Sequence, residues 1–209
     1  MNGTRVLVRT LWKESLFVPV GIALGGALLV GLAAQIDVPM YPVPMSLQTF
    51  AVSVIGLLCR PMLAAVTLLT YLALGAAGLP LFAGGNSGLA ALSGPTAGYL
   101  WGFVGMAWMT AWLVGRLRRH SFGALFVAAF LPSLALLVPG VLWLAASTSL
   151  TLGAAVMTGA VPFLVGKLVK TTLAVLVARL VGAELERRGV PPWHGRRMTA
   201  QPEAPPRGG

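Results

Sequence analysis

Acidic residues are scarce in this sequence. Its 209 residues hold only 5 Asp and Glu against 15 Lys and Arg, and charged residues of both signs make up 10% of the chain. Soluble domains carry about a quarter charged residues, so a soluble domain of useful size is excluded. Cysteine is nearly absent too: Cys59 stands alone, which rules out an intrachain disulfide and leaves the redox compartment open. The two histidines, His120 and His194, lie in basic flanks with no second ligand at metal spacing, so no metal site is expected. No G-x-x-x-x-G-K-[ST] loop occurs, so the chain cannot itself hydrolyse ATP. An enzyme would show a nucleophile with a base, a carboxylate pair or a metal cluster. The apolar runs contain no Asp, Glu or His, and their Ser and Thr have no partner base. Neither an enzyme nor a cofactor is expected.

What the chain does have is apolar residues, at 57%, with 26 Gly and 15 Pro. A bilayer core about 30 Å thick needs roughly 20 apolar residues per helix, and both Gly and Pro are commoner in spanning helices than in soluble ones. The expected fold is therefore an all-α membrane protein of six transmembrane helices. The first span runs from Leu16 to Ile36 and is too long for a signal-peptide core. A loop with Pro39, Pro42 and Pro44 follows, since each proline removes a backbone donor and restrains its predecessor. The stretch Ser46–Leu79 is too long for one span and is broken at Arg60-Pro61. It reads as a short second span ending near Cys59 and a third from Met62 to Leu79. Pro80–Pro95 is a glycine-rich loop without a charge, and the fourth span, Thr96–Gly115, stops at the basic cluster 116–120. The fifth spans about Phe122–Ala145 with kinks at Pro132 and Pro139, and Ser147–Ala160 reads as a short outer helix and loop. Pro162 opens the sixth span, which ends near Val181. Three regions result: a basic cytoplasmic segment, 1–15; the six-helix domain, 16–181; and a basic, Pro-rich tail, 182–209, expected to be disordered.

The net charge of +10 sits in short clusters between apolar runs rather than on one continuous face. That pattern argues for contact with an anionic lipid leaflet and against nucleic acid. Counted along alternate connections, the N-terminus, Arg60, Arg116–Arg119 and the tail fall on one side, while the other three loops carry no Lys or Arg. The positive-inside rule puts both termini in the cytoplasm of a multi-pass inner or plasma membrane protein.

Near the start of the sixth expected span lie two lysines, Lys167 and Lys170. Starting from Pro162, a helix places them roughly 8 and 12 Å from its outer end. Three residues apart, they share a face. A lysine inside a membrane is a functional candidate by default; the plainer alternative is that both snorkel to the outer interface. The outer loops add uncharged polar groups: Gln35, Ser46 and Gln48 beside the proline loop, and Asn86, Ser87, Ser93, Thr96 and Tyr99 in or beside the glycine loop. Along the first span, small residues recur at four-residue spacing, Gly21/Gly25 and Ala23/Ala27. They form a surface for close approach by a partner helix, or equally for internal packing.

The stretches Ala34-Gln35-Ile36 and Pro42-Val43-Pro44-Met45-Ser46-Leu47-Gln48-Thr49, with the long block Tyr71–Phe103, strongly resemble the BioY family. These are the membrane-embedded, substrate-binding S components of energy-coupling-factor biotin transporters. The resemblance covers roughly residues 16 to 181. It implies an S-component-like six-helix bundle that captures biotin at the outer face, with a coupling membrane subunit and two cytoplasmic ATPase subunits as partners. It also implies a site in which Gln48, Asn86 and Tyr99 address the ureido ring and Phe82, Phe163 and Leu81 supply apolar wall. Lys170 would then pair the carboxylate. The sixth span departs from the family pattern P-F-x-x-G-D-x-x-K, because Lys167 stands where the aspartate is expected. An ammonium cannot accept the hydrogen bonds that a carboxylate takes from ureido N–H groups. A membrane scaffold, or a carrier of a different and more acidic vitamin-like substrate, is the alternative.

Overall fold

The computed structural model describes residues 17–38, 43 and 45–188. The basic N-terminal segment and most of the Pro-rich tail, with Pro39, Pro42 and Pro44, lie outside the described residues. Among the described residues, eight α-helices follow one another in chain order: α1 (Phe17–Ala34), α2 (Gln48–Leu58), α3 (Pro61–Ala76), α4 (Ala97–Arg116), α5 (Phe122–Ala135), α6 (Leu137–Ser147), α7 (Leu152–Gly159) and α8 (Phe163–Arg187). Two short strands, β1 (Asp37–Val38) and β2 (Met45–Ser46), pair antiparallel and close the proline loop. Two short 3₁₀ turns, Ala83–Gly85 and Leu89–Leu92, shape the glycine loop, where Gly84, Gly85 and Gly88 take positive φ.

The boundaries follow from local chemistry. Arg60 is the N-cap of α3 and Pro61 its first residue, where a missing N–H costs nothing. The hydroxyls of Ser121 and Thr151 cap α5 and α7 by accepting from the backbone N–H of Ala124 and Ala154, each at 3.3 Å. Pro162 caps α8. Each signal is local, and so readable in the sequence.

Side-chain size is distributed the opposite way from a soluble protein. On α1, Phe17, Leu24, Leu28 and Leu32 are exposed, while Ala23, Ala27, Gly31 and Ala34 are buried. The exposed set on other helices includes Leu131, Val138, Leu142, Val165 and Leu180. Large apolar groups outside and small ones inside suit a lipid solvent, where helices gain by close packing rather than by leaving water.

The six expected spans are met only in part. Among the described residues, three helical stretches are long and apolar enough to cross a membrane: α1, α4 and the run Phe122–Ser147 made by α5 and α6. The pair α7 and α8, bent by 40° at a short break, adds a fourth. The second and third expected spans are shorter apolar helices, α2 of 11 residues and α3 of 16. At about 1.5 Å per residue, an 11-residue helix covers roughly half of a bilayer core. The proline loop and the Arg60-Pro61 break cut the helix at both ends. The fifth span is two helices meeting at Leu136, because Pro139 cannot donate to the carbonyl at position 135.

In the bundle α4 packs against α2, α3, α5 and α6, while α8 packs against α2 and α5, and α1 against α2 and α3. Both α4 and α8 run from the glycine-loop end toward the end that carries Arg60, Arg116 and Arg187. The four small residues of α1 do not form a single surface. Ala23 and Ala27 are buried inside the bundle, whereas Gly21 and Gly25 have open space beside them. Positions two apart on a helix point to nearly opposite faces, so only the glycine pair is available to a partner.

Candidate functional site

Beneath the two loops, where α4 and α8 begin, lies a cavity of about 450 Å³. The volume lies within the range of small-molecule pockets. Its lining brings together Gln48, Phe82, Asn86, Tyr99, Phe163, Lys167 and Lys170 from the start of α2, the glycine loop, α4 and α8. Ser46, Ser87 and Thr96 line it as well. Leu81 does not, against expectation: its side chain packs over Gly31 of α1. Gln35 is also elsewhere. Its amide donates to the carbonyls of Gly31, Pro80 and Phe82, tying the end of α1 to the glycine loop.

The cavity has a polar pole at β2 and the start of α2. Lys170 Nζ donates to the backbone carbonyl of Ser46 at 2.7 Å. Ser46 Oγ donates to Gln48 Oε1 at 2.8 Å, and Gln48 Nε2 donates to the hydroxyl of Tyr71 at 2.6 Å. Tyr71 passes the chain on to the carbonyl of Leu81 at 3.3 Å. Gln48 is thus partly committed to this network, keeping one N–H and one lone pair for anything else. Thr49 also lines the cavity, and its hydroxyl oxygen is buried with no hydrogen-bond partner.

Lys167, three residues before Lys170 on α8, reaches toward the junction of α5 and α6. Lys167 is only 4% exposed, and its Nζ donates to the carbonyl of Ser133 at 2.5 Å. Ser133 lies one turn before Leu136 and Leu137, which line the cavity. Phe82, Leu100, Phe103, Leu137 and Phe163 supply apolar wall. Phe82 is seated edge-on to Tyr71, with ring centroids 5.4 Å apart, and over Gly75. A Cβ at position 75 would collide with that ring, so glycine there is what lets the loop close down on α3. Tyr99 donates its hydroxyl to the carbonyl of Gly159 at 2.7 Å and so fastens α4 to the end of α7. Asn86 Nδ2 is held by the carbonyl of Ala83 within its own loop at 2.7 Å, leaving the amide oxygen free to accept.

Two lysines and no carboxylate among the lining residues make the cavity donor-rich. Such a pocket suits a small anionic molecule with an apolar body and carbonyl groups. Sequence reasoning missed Tyr71, Leu100, Phe103, Leu136 and Leu137. Tyr71 had a weak signal, a phenol inside an apolar run that requires a partner. The four apolar residues had none, because a residue facing a pocket and one facing lipid are chosen from the same set.

Comparison with known proteins follows this geometry. A family model described as "BioY family" matches residues 13–187. The chain is 34% identical over 155 residues to "Biotin transporter BioY2" of Lactococcus lactis subsp. cremoris, covering 74% of this chain and 84% of the relative. It is 36% identical over 174 residues to "Biotin transporter BioY" of Rhodobacter capsulatus, covering 77% and 90%. Among solved structures, the S-component for biotin from an ECF-type ABC transporter superposes with a TM-score of 0.73 at 21% identity. That match covers 79% of this chain and 90% of the other.

Proposed function

The chain belongs to the BioY family, and on that premise we propose that its cavity binds biotin at the outer face for delivery to the cytoplasm. It is a multi-pass protein of the plasma membrane and not an enzyme. The relatives are named biotin transporters, which favours biotin over a scaffold role and over a more acidic substrate. The observation that carries the site is the convergence in one cavity of Lys170, the buried unpartnered hydroxyl of Thr49 and the aromatic wall of Phe82 and Phe163. In this reading the carboxylate takes Lys170 and Thr49, and the thiophane and valeryl chain lie along the apolar wall. The ureido ring meets Asn86, Tyr99, the spare capacity of Gln48, and Lys167.

Energy would come from outside the chain, through a coupling membrane subunit and two ATPase subunits. The exposed Gly21 and Gly25 of α1 are the place for the membrane subunit to approach, since small residues let helices come close. Isothermal titration of the detergent-purified protein with biotin tests the reading, with Lys170→Met as the paired variant. Losing a charge-assisted bond of about 1.5–3 kcal/mol should weaken binding on the order of ten- to a hundred-fold. A wild-type protein that does not bind biotin would remove the proposal, and an unchanged Lys170→Met affinity would remove Lys170 from the site.

A further inference from the structure

At the start of the glycine loop, the consecutive carbonyls of Pro80, Leu81 and Phe82 are each held by a side chain from a helix. Gln35 Nε2, just past the end of α1, donates to Pro80 and to Phe82, each at 3.2 Å. Tyr71 of α3 donates to Leu81, between them, at 3.3 Å. Alternate grips of this kind suit an extended chain, and Phe82 is extended, with φ −85° and ψ 163°. Residues 80–82 thus form a strap held by α1 and α3 together. Gln35 also donates to the carbonyl of Gly31 at 3.1 Å, which fixes its amide against its own helix. Leu81 seats on that same Gly31, where an added Cβ would come within 2.6 Å of its side chain.

The strap is where the loop enters the cavity wall. Phe82 lines the cavity, and so do Ala83, Asn86, Ser87 and Ala90 beyond it, whereas Gln35 does not. Further along, the loop is fastened by the N–H of Gly88, which donates to the carbonyl of Gly75 at 2.8 Å. At its far end the indoles of Trp101 and Trp143 donate to Leu92 and Gly94. The two grips on the strap differ in solvent access: Tyr71 is fully buried, while Gln35 is exposed. Local opening begins where hydrogen bonds are exposed to water, so the strap is released first from α1. We propose that Gln35 is a positioning residue that, without touching the ligand, holds the glycine loop over the cavity and sets how fast the ligand enters and leaves. The inference rests on the biotin reading above and adds a residue that governs rates rather than contacts.

The test measures biotin association and dissociation rates on purified wild type, Gln35→Met, Gln35→Glu and Gln35→Lys. Methionine keeps the length and removes the donor, glutamate keeps the shape and offers only acceptors, and lysine keeps donors for the carbonyls. Losing one net hydrogen bond or more should speed both association and dissociation on the order of five- to ten-fold in Gln35→Met. Because Gln35 touches no ligand atom, the two rates should rise together and the dissociation constant should change by less than about three-fold. Gln35→Glu should behave like Gln35→Met and carries the test if that variant does not fold, while Gln35→Lys should stay near wild type. A second measurement needs no ligand: hydrogen exchange in the segment 83–93, which contains the Gly88 amide, should quicken by a similar factor in the two donor-less variants alone. Wild-type rates in a folded donor-less variant would overturn the proposal and leave the biotin reading standing, even if thermal stability fell. So would faster rates without faster exchange, or an affinity lost through dissociation alone, which marks damage to the site rather than a loosened loop. Failure of wild type to bind biotin at all would instead overturn both.

Discussion

Tyr71 shows how a residue outside the cavity can control it. Its ring is fully buried, and its hydroxyl accepts from Gln48 and donates to the carbonyl of Leu81, joining α2 to the start of the glycine loop. Tyr71→Phe keeps the ring against Phe82 but strands the Gln48 amide and the Leu81 carbonyl. Leaving buried polar groups unpaired costs about 1–3 kcal/mol, so the melting temperature should fall and biotin affinity should drop with it, read by a thermal-shift assay and by titration. A variant indistinguishable from wild type in both would mean that the network does not position the loop. Lys167 illustrates the other limit of reading single residues. Its sequence position invites the expectation that an aspartate there would restore an acceptor and tighten binding. The carbonyl of Ser133, 34 residues away in the chain, already occupies one side of that position, and no sequence signal announces it.

At the scale of the element, α1 separates two roles that four-residue spacing had merged. Ala27 has no exposed surface, and the neighbouring Gly26 faces Thr67 and Ile55 of the bundle. A leucine at position 27 would overpack this contact, costing about 1–3 kcal/mol, and should lower thermal stability. Gly25 has open space beside it, so Gly25→Leu should leave stability and biotin affinity near wild type. If the coupling subunit docks on this face, the same variant should abolish most biotin uptake in cells that express the whole transporter. Undiminished uptake by Gly25→Leu would dismiss the face as a docking surface.

For the whole molecule the decisive variable is orientation. The cavity opens among loops without Lys or Arg, and the helices that start there end at Arg116 and Arg187. Charge bias therefore places the cavity outside and the arginines inside. In a Cys59→Ser background, Ser87→Cys in the cavity mouth should react with an impermeant maleimide on intact cells. Ser121→Cys, at the start of α5, should react only after permeabilisation. Because Ser121 caps that helix, its loss costs about 1 kcal/mol, too little to unfold the bundle. The reverse labelling pattern would invert the topology and place the pocket in the cytoplasm.

The sequence by itself determined the solvent, the start of several elements and the family. Hydropathy, proline position, capping hydroxyls and charge runs are local properties, and they mark where α3, α5 and α8 begin, although α5 ends well before Ala145 and α8 continues past Val181 to Arg187. The long block Tyr71–Phe103 is likewise contiguous, so it could be matched by inspection. Only the tertiary structure decided which apolar residues face the cavity, since Leu100 and Leu137 read no differently from the lipid-facing Leu131 and Leu142. It also decided that Gln48 and Lys167 are partly spoken for, that Leu81 turns to α1, and that Ala23 and Ala27 lie inside. Each of these depends on a group brought near by folding from a distant part of the chain, and a pattern along one helix does not contain the position of its neighbour.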